Sequence, residues 1–338
     1  MGSRSAAQRR RPTIHDVAQA AGVSRGTVSR VINGGHWVSD NAAAKVKAAI
    51  AATGYQANHA ARSLASGRSG SIGFLLSEPQ QLLFSDPNFA VLLREAARAL
   101  ADKDMPLVLM MAATQQERRR VTRYIDGGHV DGVLLISPHQ GDPLSRMLVE
   151  RKVPSVCCGR PLGMEGRLSY VAADDFQGAA AMTSYLVDRG YRHIGMLAGP
   201  QDMSGGVERL AGYCSVLGAD SPELVAYGDY SRESGTAAMA QLLDAGAPLD
   251  AVFAASDLMA AGAIDELRER GLSVPDDIAV AGFDDTGLAA ANRPPLTTMH
   301  QPFDRIADEM VRLLLDVIEG AQPAGTLLGT TLVPRESA

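Results

Sequence analysis

Two arginines, a serine and a glycine share one face of a short predicted helix near the start of the chain. The helical period places Arg25, Gly26, Ser29 and Arg30 opposite the apolar Val28. Guanidinium and hydroxyl groups on such a face can hydrogen-bond guanine edges and phosphates in a DNA major groove, and a glycine permits close approach. The pattern therefore predicts a helix that reads DNA, with a solvated helical hairpin that carries arginines as the alternative.

A second group of residues with binding chemistry is spread over the rest of the chain, at the ends of predicted strands or in the loops after them. Carboxylates and guanidiniums form paired hydrogen bonds with neighbouring hydroxyls, and aromatic rings stack on the C–H faces of sugars. The residues predicted to form such an effector site are Ser77, Phe84, Phe89, Ser137, Arg160, Arg209, Tyr230, Asp257 and Asp284. Glu78 and His139 stand at similar places. For Asp175, Ser256 and Asp285, capping of the next helix is an equally good interpretation.

The arginine-bearing segment is the second of three predicted helices. Thr13 suits the N-cap of the first helix, with Asp16 in the capping-box position, and Gly22 can end that helix in the left-handed conformation. Ser24 caps the second helix and Ser39 caps the third. The residues with helical spacing on the buried faces are Ile14, Val17, Ala18, Ala21, Val28, Val31, Ile32, Val46, Ala49 and Ile50. These patterns predict a small three-helix domain.

The residues of the predicted effector site belong to a longer region of the chain, in which short apolar runs alternate with amphipathic segments. The predicted strands are Ile72–Leu76, Leu107–Ala112, Gly132–Ser137, Ser155–Gly159, His193–Gly199, Leu224–Tyr227, Ala251–Ser256 and Ile278–Phe283. Strands that alternate with helices over this length indicate parallel sheets wrapped by helices. We expect two such sheets, with a ligand cleft at the carboxyl ends of their strands.

Charge is distributed very unevenly along the 338 residues. Residues 1–70 carry ten lysines and arginines against two aspartates, a net charge of +8, so the formal −6 of the whole chain leaves −14 for the remainder. A basic end on an acidic body fits a polyanion held at one end only. Three cysteines without CxxC spacing favour a reducing compartment. We expect no metal, no cofactor and no membrane span.

The run from Asp16 to Asn33 resembles the headpiece of the LacI/GalR transcriptional repressors. The resemblance rests on Asp16-Val17-Ala18, Ala21-Gly22-Val23-Ser24 and Thr27-Val28-Ser29-Arg30-Val31, followed by Asn33. It implies DNA contacts by headpiece residues Thr13, His15, Ser24, Arg25, Gly26, Thr27, Ser29, Arg30 and Asn33 and by hinge residues Asn58, Ala61 and Leu64. In such repressors the hinge leucine, matched by Leu64, enters the minor groove. From its composition alone, the hinge segment is a marginal helix or a linker.

The resemblance extends over nearly the whole chain and implies a two-lobed, periplasmic-binding-protein-like α/β body after an all-α headpiece and a hinge helix. The implied division is a basic arm (1–12), a headpiece (13–57), a hinge helix and linker (58–70), an N-terminal lobe (71–172 and 302–331) and a C-terminal lobe (173–301 and 332–338). Arg209 and Asp284 match residues that grip effector hydroxyls in the family, and Tyr230 matches a stacking aromatic. Ser256 departs from the asparagine that is usual there.

The sequence as a whole predicts a transcriptional repressor that a small sugar releases from a palindromic operator. We find no GxSxG, HExxH or P-loop motif, so an enzyme is not expected. A three-helix unit reads one half-site, so we expect a homodimer, located in the cytoplasm and associated with the nucleoid. Within the family, the stretch from Gly199 to Leu210 is most similar to actinobacterial regulators that respond to cello-oligosaccharides. Cellobiose or a related β-glucoside is therefore the expected effector, with another plant-derived oligosaccharide or a non-sugar ligand as the alternatives. A sugar-binding protein without a DNA role and an architectural DNA-binding protein without an effector are the alternatives.

Overall fold

The computed structural model describes residues 12–32, 38–55, 68–218, 224–246 and 248–338. These residues belong to two units, Met1–Ser69 and Gly70–Ala338, which we call the headpiece and the body. Most of the predicted basic arm and most of the hinge lie outside the described residues. The predicted DNA contacts outside them are Asn33, Asn58, Ala61 and Leu64.

The headpiece contains the three predicted helices, α1 (Ile14–Ala21), α2 (Arg25–Ile32) and α3 (Asp40–Thr53). At the start of α1, a carboxylate oxygen of Asp16 accepts hydrogen bonds from the backbone N–H and the hydroxyl of Thr13, both at 2.7 Å. Gly22 ends α1 with a φ of 66°. The buried side chains of Val17, Val28 and Val46 form the centre of the headpiece core. The caps and the apolar face were therefore predicted correctly.

The body contains parallel sheets covered by helices, as predicted. Its strands are β1 (Ile72–Leu76), β2 (Leu107–Met111), β3 (Gly132–Ile136), β4 (Ser155–Cys158), β5 (Ser169–Ala173), β6 (Ile194–Ala198), β7 (Val225–Tyr227), β8 (Ala251–Ala254), β9 (Ala279–Ala281), β10 (Thr298–His300), β11 (Gly325–Leu328) and β12 (Thr331–Val333). Its helices are α4 (Gln80–Ser85), α5 (Pro87–Ala101), α6 (Gln115–Asp126), α7 (Pro143–Glu150), α8 (Asp175–Asp188), α9 (Ser204–Leu217), α10 (Arg232–Asp244), α11 (Asp257–Glu269), α12 (Gly287–Ala291) and α13 (Phe303–Ile318).

Two parallel sheets define two lobes of the body. One sheet has the strand order β11-β5-β4-β3-β1-β2, and the other has the order β7-β6-β8-β9. We call the region around the first sheet the N-lobe and the region around the second the C-lobe. The strands β5 and β11, which pair in parallel and complete the N-lobe sheet, were not predicted from the sequence. The antiparallel pair β10–β12 was also missed.

The chain changes sheets after Ala173, after His300 and after Leu328, next to the expected crossovers. A buried core lies against each sheet, around Phe74 and Leu134 in the N-lobe and around Phe253 in the C-lobe. The parallel strands end at a common edge in each sheet, so the residues after them are brought together. The observed class is the predicted one, an α-helical headpiece followed by an α/β body, while the lobe boundaries remain a prediction.

Candidate DNA interface and effector site

The outward face of α2 carries the predicted DNA-reading residues. Arg25, Gly26 and Arg30 are exposed, whereas Val28 on the opposite face is completely buried. Packing of Val28 therefore orients the helix and leaves both guanidiniums in solvent. A helix with this arrangement can place arginines against base edges in a major groove.

Gly26 is not required by the packing of the headpiece. A Cβ added there would have the Ser24 hydroxyl oxygen as its nearest neighbour, at 3.7 Å, which is an ordinary van der Waals distance. Glycine inside a helix is less stable than alanine by roughly 0.5–1 kcal/mol. The glycine therefore leaves this part of the exposed face of α2 open to close approach.

The remaining predicted contacts of the headpiece lie at the starts of the two helices. His15 is exposed on α1, and Thr13 is held in the capping interaction with Asp16. Ser24 accepts the backbone N–H of Thr27 at 3.1 Å, and the two hydroxyl oxygens are 2.9 Å apart. These hydroxyls set the start of α2, and their contacts with DNA stay predictions.

In the body, Arg209 is the centre of a buried charged cluster between strand ends of the C-lobe. It is 6% exposed. Its Nε donates to Asp175 at 2.8 Å, and its Nη1 donates to the carbonyl of Ala255 at 2.5 Å. Nη1 also lies 3.7 Å from a carboxylate oxygen of Asp284. Burial by itself would lower the pKa of the guanidinium, but the carboxylates of Asp175 and Asp284 outweigh it and raise the pKa.

Two aromatic rings flank the Arg209 guanidinium. Its central carbon lies 3.8 Å from the ring centre of Phe283 and 5.8 Å from that of Tyr230. A Cβ at Gly199 would lie 2.5 Å from the Tyr230 ring, so glycine is needed there for the ring to take this position. Tyr230 has a φ of 71°, and strain of this kind concentrates at functional sites.

Asp284 connects the C-lobe cluster with the N-lobe. It is 3% exposed, and its oxygens accept Asn88 Nδ2 at 2.8 Å and Gln301 Nε2 at 2.6 Å. Its φ of 125° is again unusual for a side chain other than glycine. The side-chain oxygen of Asn88 is buried and has no hydrogen-bond partner within the described residues. A buried acceptor without a partner is uncommon in a folded protein.

Asp86 adds a third carboxylate beside this cluster. It is 9% exposed and accepts the backbone N–H of Asn88 at 2.9 Å. Burial, and next the negative charge of Asp284, raise the pKa of Asp86 to about 7. Part of the Asp86 population is therefore protonated at neutral pH and can donate a hydrogen bond.

A histidine joins the two lobes beside the cluster. His139 follows β3, and its Nε2 lies 2.8 Å from Glu78 in the N-lobe while its Nδ1 lies 2.8 Å from Asp202 in the C-lobe. The hydrogen bond to Glu78 is the largest cause that raises the pKa of His139 to about 9. The imidazole is therefore charged at neutral pH and forms an ion pair on each side. We call this arrangement the His139 bridge.

Three predicted effector residues of the N-lobe lie at the same edge of its sheet. Ser137 donates to Glu78 at 2.7 Å, and Ser77 donates to a carboxylate oxygen of Asp142 at 2.8 Å. Arg160 forms an ion pair with Glu208 of the C-lobe at 3.0 Å. Arg160 and Glu208 also line a small cavity of about 20 Å³ next to Asp175.

Other predicted effector residues are placed differently. Phe84 is 86% exposed on α4, and Phe89 packs against the N-lobe core. Asp257 is 1% exposed, and its oxygens accept the Thr298 hydroxyl at 2.6 Å and the N–H of Asp285 at 2.8 Å. In this conformation its carboxylate joins strand ends to one another, so a role for these three residues in effector binding stays a prediction.

Ser256, which stands where the family usually has asparagine, has a structural role at the start of α11. It is buried, and its hydroxyl accepts the backbone N–H of Met259 at 3.2 Å at the start of α11. The same hydroxyl lies 3.4 Å from the carbonyl oxygen of Tyr230. Ser256 therefore caps a helix and supports the loop that carries Tyr230.

Sequence reasoning missed Asn88, Asp86 and Gln301 as members of the site. The Asp-Pro pair before Asn88 reads as a helix start, and the structure does use Asp86 as the N-cap of α5. No local signal distinguishes Asn88 from any other first-turn residue, because its partner Asp284 is 196 residues away.

The whole arrangement is suited to binding a neutral molecule that carries several hydroxyl groups. It offers the fixed guanidinium of Arg209, the carboxylates of Asp284 and Asp86, the free acceptor of Asn88 and the ring of Tyr230. Paired donors and acceptors with an aromatic face are what sugar hydroxyls and C–H faces require. Within the described residues, no helix has the length and apolarity to cross a membrane.

Two family models match the chain, one in the headpiece and one in the body. Residues 13–58 match the model of bacterial regulatory proteins of the lacI family, and residues 183–338 match a periplasmic binding protein-like domain. The first match contains the α2 face, and the second contains Arg209, Tyr230 and Asp284 but not their partners Asp175 and Asn88.

Similar proteins cover almost the full length of the chain. The chain is 46% identical over 337 residues to the HTH-type transcriptional regulator CelR of Thermobifida fusca. The aligned residues make up 98% of this chain and 99% of that protein. It is 35% identical to the ribose operon repressor of Escherichia coli K12, over 90% of this chain and 92% of that protein.

Solved structures of similar proteins also match almost the full length of the chain. A structure described as a transcriptional regulator CelR–cellobiose complex is 44% identical, with a TM-score of 0.78 over 97% of this chain and 100% of that one. The lac repressor dimer bound to operator and the anti-inducer ONPF is 28% identical, with a TM-score of 0.84 over 97% and 99%. The full-length identity to named transcriptional regulators shows that this chain belongs to the lacI family of bacterial regulatory proteins.

Proposed function

We propose that this protein is a homodimeric transcriptional repressor of carbohydrate-utilisation genes, which cellobiose or a related β-glucoside releases from a palindromic operator. The proposal rests on the buried carboxylate of Asp284, which contacts Asn88 of one lobe and Arg209 of the other. We call these three residues the Asp284 cluster. A ligand that binds between these groups acts on both lobes together. The cytoplasm, with nucleoid association, is the proposed location.

The α2 face supports the DNA half of the proposal. Arg25 and Arg30 are exposed beside a glycine that the headpiece does not need for its own packing. One such helix reads a half-site of a few base pairs, so a dimer on a palindrome is the expected arrangement. The similarity to a lac repressor dimer on its operator supports this assembly.

The Asp284 cluster supports a sugar effector, and the CelR–cellobiose structure narrows its identity. A disaccharide of two equatorial glucosyl units presents flat C–H faces to Tyr230 and paired hydroxyls to Arg209 and Asp284. We place Arg209, Asp284 and Asn88 in direct contact with the effector. Asp86 is the fourth polar contact of the same site.

The test measures operator binding and sugar binding on the same preparation. An operator is first selected from a random duplex library with the full-length protein, and binding is followed by fluorescence anisotropy at fixed salt. Cellobiose, xylobiose, maltose and lactose are then titrated by calorimetry and into the preformed complex. We expect cellobiose to bind and to weaken operator affinity by about 5- to 150-fold, the usual range of allosteric coupling.

Two variants test the DNA-binding part and the effector-binding part of the proposal separately. Arg30→Ala removes a predicted base contact and should lose preference for the selected operator over random DNA, while it keeps its cellobiose affinity. Asp284→Asn should keep operator binding and lose the response to cellobiose. Selection of no sequence from the library contradicts the repressor function. Binding of an α-linked disaccharide in preference to cellobiose contradicts the proposed effector alone.

A further inference from the structure

The helix α6 of the N-lobe carries three arginines on its outward face. Arg119, Arg120 and Arg123 are exposed, whereas Val121 and Ile125 on the opposite face are buried in the N-lobe core. Arg119 and Arg123 are four residues apart, so their side chains are neighbours along the helix. Like charges at this spacing repel each other and destabilise a helix. We call Arg119, Arg120 and Arg123 the α6 arginine face.

The three arginines differ from other exposed arginines of the body in having no carboxylate partner. None of them forms an ion pair within the part of the chain that the structure describes. Arg268, Arg270 and Arg312 are also exposed, but each has a guanidinium nitrogen at 3.3 Å or less from a carboxylate oxygen. The α6 arginine face is therefore open to a partner from outside the described chain.

The other charged residues of α6 have partners of their own. Glu117 accepts the backbone N–H of Thr114 at 2.9 Å in the capping box, and Asp126 pairs with Arg151. Arg118 donates to two backbone carbonyl oxygens before the helix. Residues 71–338 together carry a net charge of −14, so the positive face of α6 is a local feature on an acidic body.

The carboxyl end of α6 lies near the point where the body begins. Strands β1 and β3 pair in parallel with Ile72 beside Gly132, so both begin at one edge of the N-lobe sheet, and α6 leads into β3. The N–H of Gly70, the first residue of the body, donates to the side chain of Asp131 at 2.7 Å. The chain from the headpiece therefore enters the body at the edge where α6 ends, and Arg123 lies about one helical turn before that end.

The chemistry of this face suits the phosphate backbone of DNA. Guanidinium groups match the geometry of phosphate oxygens, and duplex DNA carries one negative charge per about 1.7 Å of its axis. The headpiece belongs to a family of DNA-binding regulators, and the chain tethers it to the edge of the body where α6 ends. Such a tether makes a second contact with the same DNA intramolecular, so phosphate contacts that are weak alone add to the affinity.

We propose that the α6 arginine face binds phosphates of the DNA that flanks the operator, so that the body adds a sequence-independent contact to those of the headpiece. The inference rests on the proposed function, because the headpiece must first hold the duplex. Phosphate contacts release counterions, so the affinity gained from flanking DNA falls as salt is added. Three such contacts add about −2.7 to the slope of log affinity against log salt, which is about 40-fold between about 50 and 200 mM salt.

The test follows the fluorescence anisotropy of two duplexes that carry the same selected operator, with full-length protein. One duplex ends at the operator, and the other extends by about one and a half helical turns on each side. We expect the wild type to prefer the longer duplex and to show the steeper salt slope on it. The triple variant Arg119→Gln, Arg120→Gln and Arg123→Gln should lose both differences. Lysine at the same three positions should keep them, because it keeps the charge.

The matched control is the triple variant Arg268→Gln, Arg270→Gln and Arg312→Gln, which removes the same charge from arginines that have carboxylate partners. It should keep the wild-type preference for the longer duplex. Equal wild-type affinity for the two duplexes overturns the flanking contact and leaves the repressor function intact. A preference that persists in the glutamine variant of α6 also overturns it. Loss of the dimer in that variant, measured by sedimentation, contradicts it as well, because the face then lies between two copies of the chain. If no duplex is bound, the contact and the proposed function are both wrong.

Discussion

The raised pKa of Asp86 predicts that one neutral substitution stabilises the body, and only at higher pH. Asp86→Asn keeps an oxygen that can accept the backbone N–H of Asn88, because asparagine is as good an N-cap as aspartate. It removes the negative charge that is buried beside Asp284. The fold therefore keeps its cap and loses the cost of ionising a buried carboxyl.

The magnitude follows from proton linkage. The pKa of Asp86 rises from 3.8 to about 7 on folding, so the folded state binds this proton more tightly than the unfolded state. The stability contributed by the bound proton is fully present below pH 3.8 and is lost as the pH rises to 7. Each unit of pKa corresponds to about 1.36 kcal/mol, so the cost at pH 8 is about 4 kcal/mol. Asparagine does not carry this cost.

Urea unfolding at several pH values between 5 and 8 measures the effect. Far-UV circular dichroism is the signal, because it reports on the helices and strands that make up the body. The variant should be more stable than the wild type by an amount that grows by about 1.36 kcal/mol per pH unit up to pH 7. Glu269→Gln, which removes an exposed carboxylate, should follow the wild-type profile. Parallel profiles for Asp86→Asn and wild type would refute the reasoning.

Further predictions concern the headpiece, the buried charge and the His139 bridge. Gly26→Ala should raise the free energy of unfolding of the headpiece by roughly 0.5–1 kcal/mol and weaken operator binding in anisotropy, whereas unchanged operator affinity would show that the glycine does not serve DNA. Arg209→Met leaves buried carboxylates without their cation and should cost about 3–5 kcal/mol in urea unfolding, and a loss below 1 kcal/mol would contradict the buried pair. The pKa of His139 is raised to about 9, so the stability from its ion pairs is complete below pH 6.5 and is lost as the pH rises through 9. His139→Gln should lack this decline, and a wild-type profile without any decline between pH 7 and 9 would exclude the bridge.

Much of the fold could be predicted because its signals are local. The cap of α1 by Thr13 and Asp16, the stop at Gly22 and the buried face around Val28 involve residues within one or two helical turns of each other. The exposed position of Arg25 and Arg30 follows from the same period. The main parallel strands were found from their apolar composition, since both faces of such strands are buried. The family resemblance supplied the two-lobed arrangement.

The candidate site was only partly predictable. Arg209, Tyr230 and Asp284 were expected, and the structure brings them together. Phe84 carried the same aromatic signal as Tyr230, yet it is exposed on α4. Residue type and position after a strand do not tell whether a side chain faces the cleft, the core or solvent, because that depends on how the following helix packs.

The sequence by itself determined the helical headpiece with its arginine face, the alternation of strands and helices, and the polar residues that follow the strand ends. Only the tertiary structure decided which of these residues meet. Asn88 and Asp284 are 196 residues apart, and His139 reaches Glu78 and Asp202 from 61 and 63 residues away. Such contacts depend on how the two lobes of the body pack together, and no local preference of the chain encodes them. The raised pKa of Asp86 arises in the same way, because burial and the charge of Asp284 act on it only in the folded body.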